Sequence, residues 1–238
     1  MSATALTVPV DLEDATVLNT FTQADQKYRH AIEAPGRELR SALARARAVP
    51  RANLGGNDLT AAVLLRLRSF FRSQDLTKEA LGKRKAAPAA DFFVETVCFY
   101  LTVALGKLAP ALSVTSEKSI TRKRGSMRPD ISIWRGETLV ACVECKTQLG
   151  WTRRTWRTDF KKREKGLSKE SPGAKLFLLV MTGANWPGFG TDASCDKQFF
   201  LLLDRVWPRD IDPERIGEIP PGIERLLSAI VAASLGEP

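Results

Sequence analysis

Residues 174–182 read AKLFLLVMT, with nothing polar between Leu176 and Met181. Side chains of a β-strand alternate between two faces. A strand that is apolar on both has no face to give to water. It belongs inside a sheet covered on each side by helices. The segments around it supply that setting. Residues 91–108 form a strongly apolar stretch of helical length. Residues 113–122 alternate weakly, as a strand can. Residues 130–134 and 138–146 are strand-like runs joined by Arg135-Gly136-Glu137, a hairpin connection. Residues 151–169 read as a helix, 199–206 as a further strand, and 221–235 as a closing helix with Pro221 at its first turn. The expected fold class is α/β, with a mixed central sheet flanked by helices.

The first part of the chain has a different texture. Residues 11–34 and 37–48 read as helices separated by Pro35-Gly36. Asn57 or Asp58 is placed to cap a third helix over 59–73. Lys83-Arg84-Lys85-Ala86-Ala87-Pro88 reads as a linker. The expected division is an N-terminal helical region over 1–87 and a second domain over 88–238.

Of the 238 residues, 44% are hydrophobic and 26% charged, which suits a folded globular chain rather than a disordered one. The start of the sequence lacks the basic-then-apolar pattern of a signal peptide. Its most apolar stretch, 92–105, is shorter than the ~20 residues that span a bilayer and is interrupted by Glu95. A cytoplasmic protein with no membrane partner is expected. Cys142 and Cys145 form a C-x-x-C, but a zinc site needs a second such pair or histidines, and the chain has one histidine, His30. Positions three apart on a strand also face opposite ways. Buried free thiols are the expectation.

Charge is concentrated rather than spread. The window 118–170 holds 15 Lys/Arg against 6 Asp/Glu, a surplus equal to the +9 of the whole chain. Such a region suits a polyanion, above all nucleic acid.

Within that window lie Pro129-Asp130 and Glu144-Cys145-Lys146. Glu144 and Lys146 are two apart on a strand and share a face. Asp130 opens the neighbouring arm of the hairpin, at a distance from the turn that sets it near Glu144. Two carboxylates can hold a hard divalent cation such as Mg²⁺ while leaving waters in place. The cation then activates water and offsets charge on a phosphate, and the lysine orients the attacking water.

The pattern resembles the PD-(D/E)XK nuclease superfamily, over roughly residues 88–206. The resemblance implies a restriction-endonuclease-like core: a helix, a three-stranded meander, a helix and a strand, here with an N-terminal helical extension. It implies that Asp130 and Glu144 bind metal and that Lys146 assists the nucleophile. Mg²⁺ is the expected cofactor, with Mn²⁺ able to substitute. Many members carry a further metal-site glutamate on the helix before the meander. Glu95, the one charge between Asp91 and Lys107, fits that place, since a carboxylate among apolar neighbours is costly unless paired or bound to metal. A salt bridge, or a half-exposed face shared with Asp91 and Thr102, would also account for it.

Substrate contacts are expected from Arg124 and Arg128 before Asp130, from Gln148 after Lys146, and from the helix that follows. In that helix Trp156, Phe160 and Leu167 form a sheet-facing stripe, while Arg154, Arg157, Lys161 and Lys165 form a cationic one. Trp186 and Trp207, each followed by proline, read as turn and packing features. No glycine-rich phosphate loop and no Ser/His/Asp arrangement is present, which argues against ATP use. The expected activity is Mg²⁺-dependent hydrolysis of DNA, most simply by an endonuclease in restriction or anti-phage defence. Cutting both strands of a duplex favours a homodimer. A ligand- or partner-activated effector nuclease and a non-catalytic nucleic-acid-binding module of the same fold are the alternatives.

Overall fold

The computed structural model describes residues 15–48, 56–85, 88–149, 155–186 and 189–236. They fall into two units. One is a single helix, α1 (Ala15–Ala48); the other holds every later element.

α1 runs straight through Pro35, where a break was expected. Proline removes one N–H donor, but its fixed φ near −65° is itself helical. Arg37 reaches back across the proline to Glu33 (2.8 Å), and Arg29 pairs with Asp25 one turn earlier (3.1 Å). His30 is exposed on this helix.

In the second unit the elements are α2 (Asp58–Ala80), α3 (Ala90–Leu108), β1 (Leu112–Ser116), β2 (Ile131–Arg135), β3 (Thr138–Lys146), α4 (Trp156–Glu170), β4 (Lys175–Thr182), β5 (Phe199–Leu203) and α5 (Gly222–Leu235). Among the described residues the strands make one sheet in the order β1-β2-β3-β4-β5. β1, β2 and β3 form an antiparallel meander; β4 joins β3 in parallel and β5 joins β4 in parallel. The parallel step from β3 to β4 carries α4 as its crossover. The structure is thus α/β, with a mixed open sheet flanked by helices.

Both faces of the sheet are covered, as the sequence of β4 requires. Phe177, Leu179 and Met181 enter a core with α2, α3 and α5; Leu176, Leu178 and Val180 enter another with α4. α2 contributes Leu59, Val63, Leu64 and Leu67 to the first core. The helical region expected over 1–87 is therefore shared between the two units. α2 was expected to be capped by Asn57 or Asp58. Asn57 instead donates to the carbonyls of Ile216 and Ile219 (3.0 and 2.9 Å). The free N–H groups of Leu59 and Thr60 go to the Glu224 carboxylate of α5 (2.7 and 3.1 Å), as does the Thr60 hydroxyl (2.5 Å). A long-range carboxylate serves as the cap and suits the positive end of the helix dipole.

One irregularity matters for the site. Near the turn β2 and β3 pair as Arg135 with Thr138 and Trp134 with Leu139. Further along, Ile133 pairs with Ala141, so Val140 is an extra residue in β3. Val140 and Ala141 consequently both enter the α2–α3–α5 core. Gly136 makes the tight turn with φ +57°.

Candidate active site

The bulge sets which residues meet. Beyond it the register runs Ser132 to Cys142 and Ile131 to Val143. One step further places Asp130 across from Glu144. Opposite residues in an antiparallel pair point to the same side. Were Val140 paired with Ile133 in regular register instead of bulged out, Asp130 would face Val143 and lie on the other side of the sheet from Glu144.

Asp130 is held at both ends. Its carbonyl accepts from Glu117 N–H (3.2 Å) and the Ser116 hydroxyl (3.0 Å). Its Oδ2 accepts the backbone N–H of Cys145 (2.7 Å) and lies 3.4 Å from Lys146 Nζ. Lys146 Nζ is also 3.5 Å from Glu144 Oε2. The three residues expected to act together therefore converge, with the ammonium between the two carboxylates.

Glu144 is 2% exposed. Its Oε2 receives Arg163 Nη1 at 2.5 Å, while Oε1 is buried with no hydrogen-bond partner. Burial, and then the negative charge of Asp130, push its pKa above the ordinary carboxylate value; Arg163 and Lys146 pull it partly back. A cleft of about 180 Å³ opens onto Glu144 and Lys146, with Gln148, Asp159, Phe160 and Arg163 among its walls. Gln148, expected near substrate, does line it and accepts from Asn185.

Arg163 was not singled out from the sequence, yet its signal was present. Trp156, Phe160, Arg163 and Leu167 follow at steps of four, three and four, so a cation lies on the sheet-facing stripe of α4. A charge there needs a buried partner of opposite sign, and Glu144 is that partner. Asp159 was also overlooked; it is exposed and follows Trp156 by three.

Other expected contacts are distributed differently. Glu95 is exposed. The buried positions of α3 are Phe93, Thr96, Val97, Leu101, Ala104 and Leu105, a stripe that excludes position 95. The burial cost that motivated its assignment does not arise, and Glu95 makes no hydrogen bond or ion pair with the trio. Arg154 lies outside the described residues. Arg157 is paired with Asp192 and lies over the Trp156 ring, with most of its side chain exposed. Lys161 and Lys165 line a different groove, on the α5 side of α4. Arg124 and Arg128 border a third opening with Lys118, Arg122 and Lys123, in which Glu137 is the one acid. Arg128 donates to Ser119 there (2.9 Å), and Ser126 in the same loop donates to Glu170 of α4 (2.7 Å).

Cys142 and Cys145 are buried on opposite faces of β3, one in each core. Burial pushes the Cys142 thiol up to about 12 and that of Cys145 well above its ordinary value, so both rest as neutral thiols, and on opposite faces of the sheet they do not converge on one metal. Among the described residues no group of three or more His, Cys, Asp or Glu is gathered for a metal. Asp130 and Glu144 are the two acids within 3.5 Å of Lys146 Nζ. No helix of the described residues is long and apolar enough to cross a membrane.

The sequence matches no protein-family model, no curated protein and no solved structure. The functional reading rests on the residues themselves.

Proposed function

We propose that this chain is a divalent-metal-dependent nuclease with a restriction-endonuclease-like core running from α3 to β4. The observation that carries the reading is the meeting of Asp130 and Glu144 at the ammonium of Lys146, with one buried oxygen of Glu144 unpartnered. The donor set fits a hard cation. It offers carboxylate oxygens only, and Glu144 Oε1 pays for its burial without a hydrogen bond. Asp130, Glu144, Lys146 and Arg163 sum to no net charge, so a dication would leave the site positive, as a phosphodiester requires.

Asp130 and Glu144 would hold the metal, with remaining positions left to water and phosphate oxygens. A bound Mg²⁺ lowers the pKa of water and offsets charge that develops on the phosphate. Lys146 stands against both acids and is 43% exposed, so its ammonium can hold a nucleophilic water or a phosphate oxygen by hydrogen bond. Arg163 fixes one oxygen of Glu144 and directs the other away from it. Arg122, Lys123, Arg124 and Arg128 lie in the segment leading into Asp130 and are suited to hold the backbone of DNA next to the cleft.

The test is cleavage of plasmid and linear DNA with Mg²⁺ or Mn²⁺, with Asp130→Ala and Lys146→Ala as controls. Metal-dependent cleavage lost in both variants is the expected result. DNA binding without cleavage under every metal would favour the non-catalytic module and end the enzyme reading.

A further inference from the structure

α4 carries a second line of residues, Lys161, Glu164, Lys165 and Ser168, turned roughly 140° from the cleft-lining face at 100° per residue. This line is one wall of a groove of about 1190 Å³. α5 is the other wall, and the floor is the start of β4 with the residues just before β5. Four exposed lysines open into it: Lys161, Lys165, Lys175 and Lys197.

The groove also contains acids, but each is engaged. Glu164 accepts from Gln198 (2.5 Å), Asp196 pairs with Arg225, and Glu224 caps α2. None of the four ammonium groups has an ion-pair partner among the described residues. With Arg225, five cations line the groove against the three acids, and this positive surplus, carried by four unpaired ammonium groups, favours a polyanion.

The rest of the lining narrows the choice. It is mostly alanine, glycine and serine, and none of the large exposed apolar side chains of the protein lies there. Leu176 and Phe177 also line the groove but are buried in the sheet, so no exposed aromatic or apolar side chain is offered as an anchor for a protein partner. A free nucleotide would want a ring to stack on or a cradle of peptide N–H groups. Point charges along a wide groove of small residues suit a run of phosphates.

The groove is separate from the cleft. Glu144 is level with Leu178 in the sheet, while Lys175 is level with Ala141. Three residues of strand, about 10 Å, therefore separate the levels of the two openings.

We propose that the α4–α5 groove is a second nucleic-acid contact, gripping the phosphodiester backbone away from the phosphate that reacts. It rests on the reading that the chain acts on nucleic acid, but not on cleavage. The experiment is binding of a fluorescent DNA duplex of about 40 base pairs by anisotropy, in EDTA, across a salt series. It compares wild type, Lys175→Glu/Lys197→Glu and Lys175→Arg/Lys197→Arg. Thermal melts confirm that the exposed substitutions leave the fold intact.

Loss of two phosphate contacts should lower the slope of log affinity against log salt by about 2, and weaken binding roughly ten- to a hundred-fold near 0.1 M salt. The arginine pair should keep the wild-type slope. An unchanged slope in the glutamate pair, or no DNA binding by wild type, overturns the proposal. Wild-type cleavage, measured separately, keeps the two readings apart. A charge-dependent slope without cleavage leaves the groove and removes the nuclease; cleavage with an unchanged slope does the reverse.

Discussion

The two faces of β3 have opposite characters. Val140, Ala141, Val143 and Cys145 look into the core made with α2, α3 and α5, where no charge enters. Cys142, Glu144 and Lys146 look toward α4, and that face grades from a buried thiol to a buried carboxylate to a half-exposed ammonium within five residues. One face contributes burial of apolar surface. The other keeps an ionised group out of water, with an oxygen unpartnered. The difference teaches that one strand can stabilise the fold and carry an active site, provided the two tasks are assigned to alternate residues. The expected price is that the site face works against stability.

This contrast can be broken most directly at the charged face. Asp130→Asn keeps an acceptor for the Cys145 N–H but loses the charge. Lys146→Gln removes the ammonium. Each should lower metal-dependent cleavage by about 10²- to 10⁴-fold with little change in melting temperature. Steady-state assays beside thermal melts would expose the alternative, a parallel loss of stability, which would make the trio a structural ion-pair network. On the dry face the pattern should invert. Leu179→Ala, at a fully buried position of β4, should cost about 2–5 kcal/mol in urea unfolding while the folded fraction keeps its specific activity.

A finer test uses pH. The pKa of Glu144 is raised, chiefly by burial and then by Asp130. Its protonated form therefore persists to higher pH than that of an ordinary carboxylic acid, and metal affinity should fall on acidification while ordinary carboxylates are still ionised. Removing the Arg163 cation in Arg163→Leu should move that fall to still higher pH, and Arg163→Lys should move it back. Mn²⁺ binding followed by paramagnetic resonance across pH would read this without needing turnover. An unmoved profile would reduce Arg163 to a packing residue.

The smallest effect is also the sharpest for the comparison. A carboxyl whose folded pKa is raised stabilises the fold more as pH falls through that pKa, and that contribution is lost as pH rises above it. Glu144→Gln should therefore abolish metal binding yet leave the melting temperature at pH 7 equal or slightly higher, while Arg163 turns to water. A large drop in melting temperature would show that the Arg163–Glu144 pair holds the protein together.

Much of this site was legible in the chain. Glu144 and Lys146 had to share a face because a strand repeats every two residues, and β3 spans Thr138–Lys146 as read. The apolar run of β4 placed it between two layers. Glu95 misled as to burial alone, because its neighbours in sequence are apolar while the buried stripe of its helix passes it by. Pro35 misled in the opposite way, since a residue that can end a helix need not do so. Arg163 was readable in principle from its place on the apolar stripe of α4.

By itself the sequence determined the period of each segment, the α/β class, the concentration of positive charge, and the presence of an acid, an acid and a lysine at the end of a hairpin. These follow from local rules of backbone geometry and solvation. Only the tertiary structure decided that one extra residue, Val140, turns Asp130 to the side of Glu144. The same is true of Arg163 as the partner of Glu144, of Glu224 as the cap of α2, and of Lys161 and Lys165 facing a separate groove. Each depends on register or on packing between segments distant in sequence, and local periodicity carries no information about which element lies across the gap.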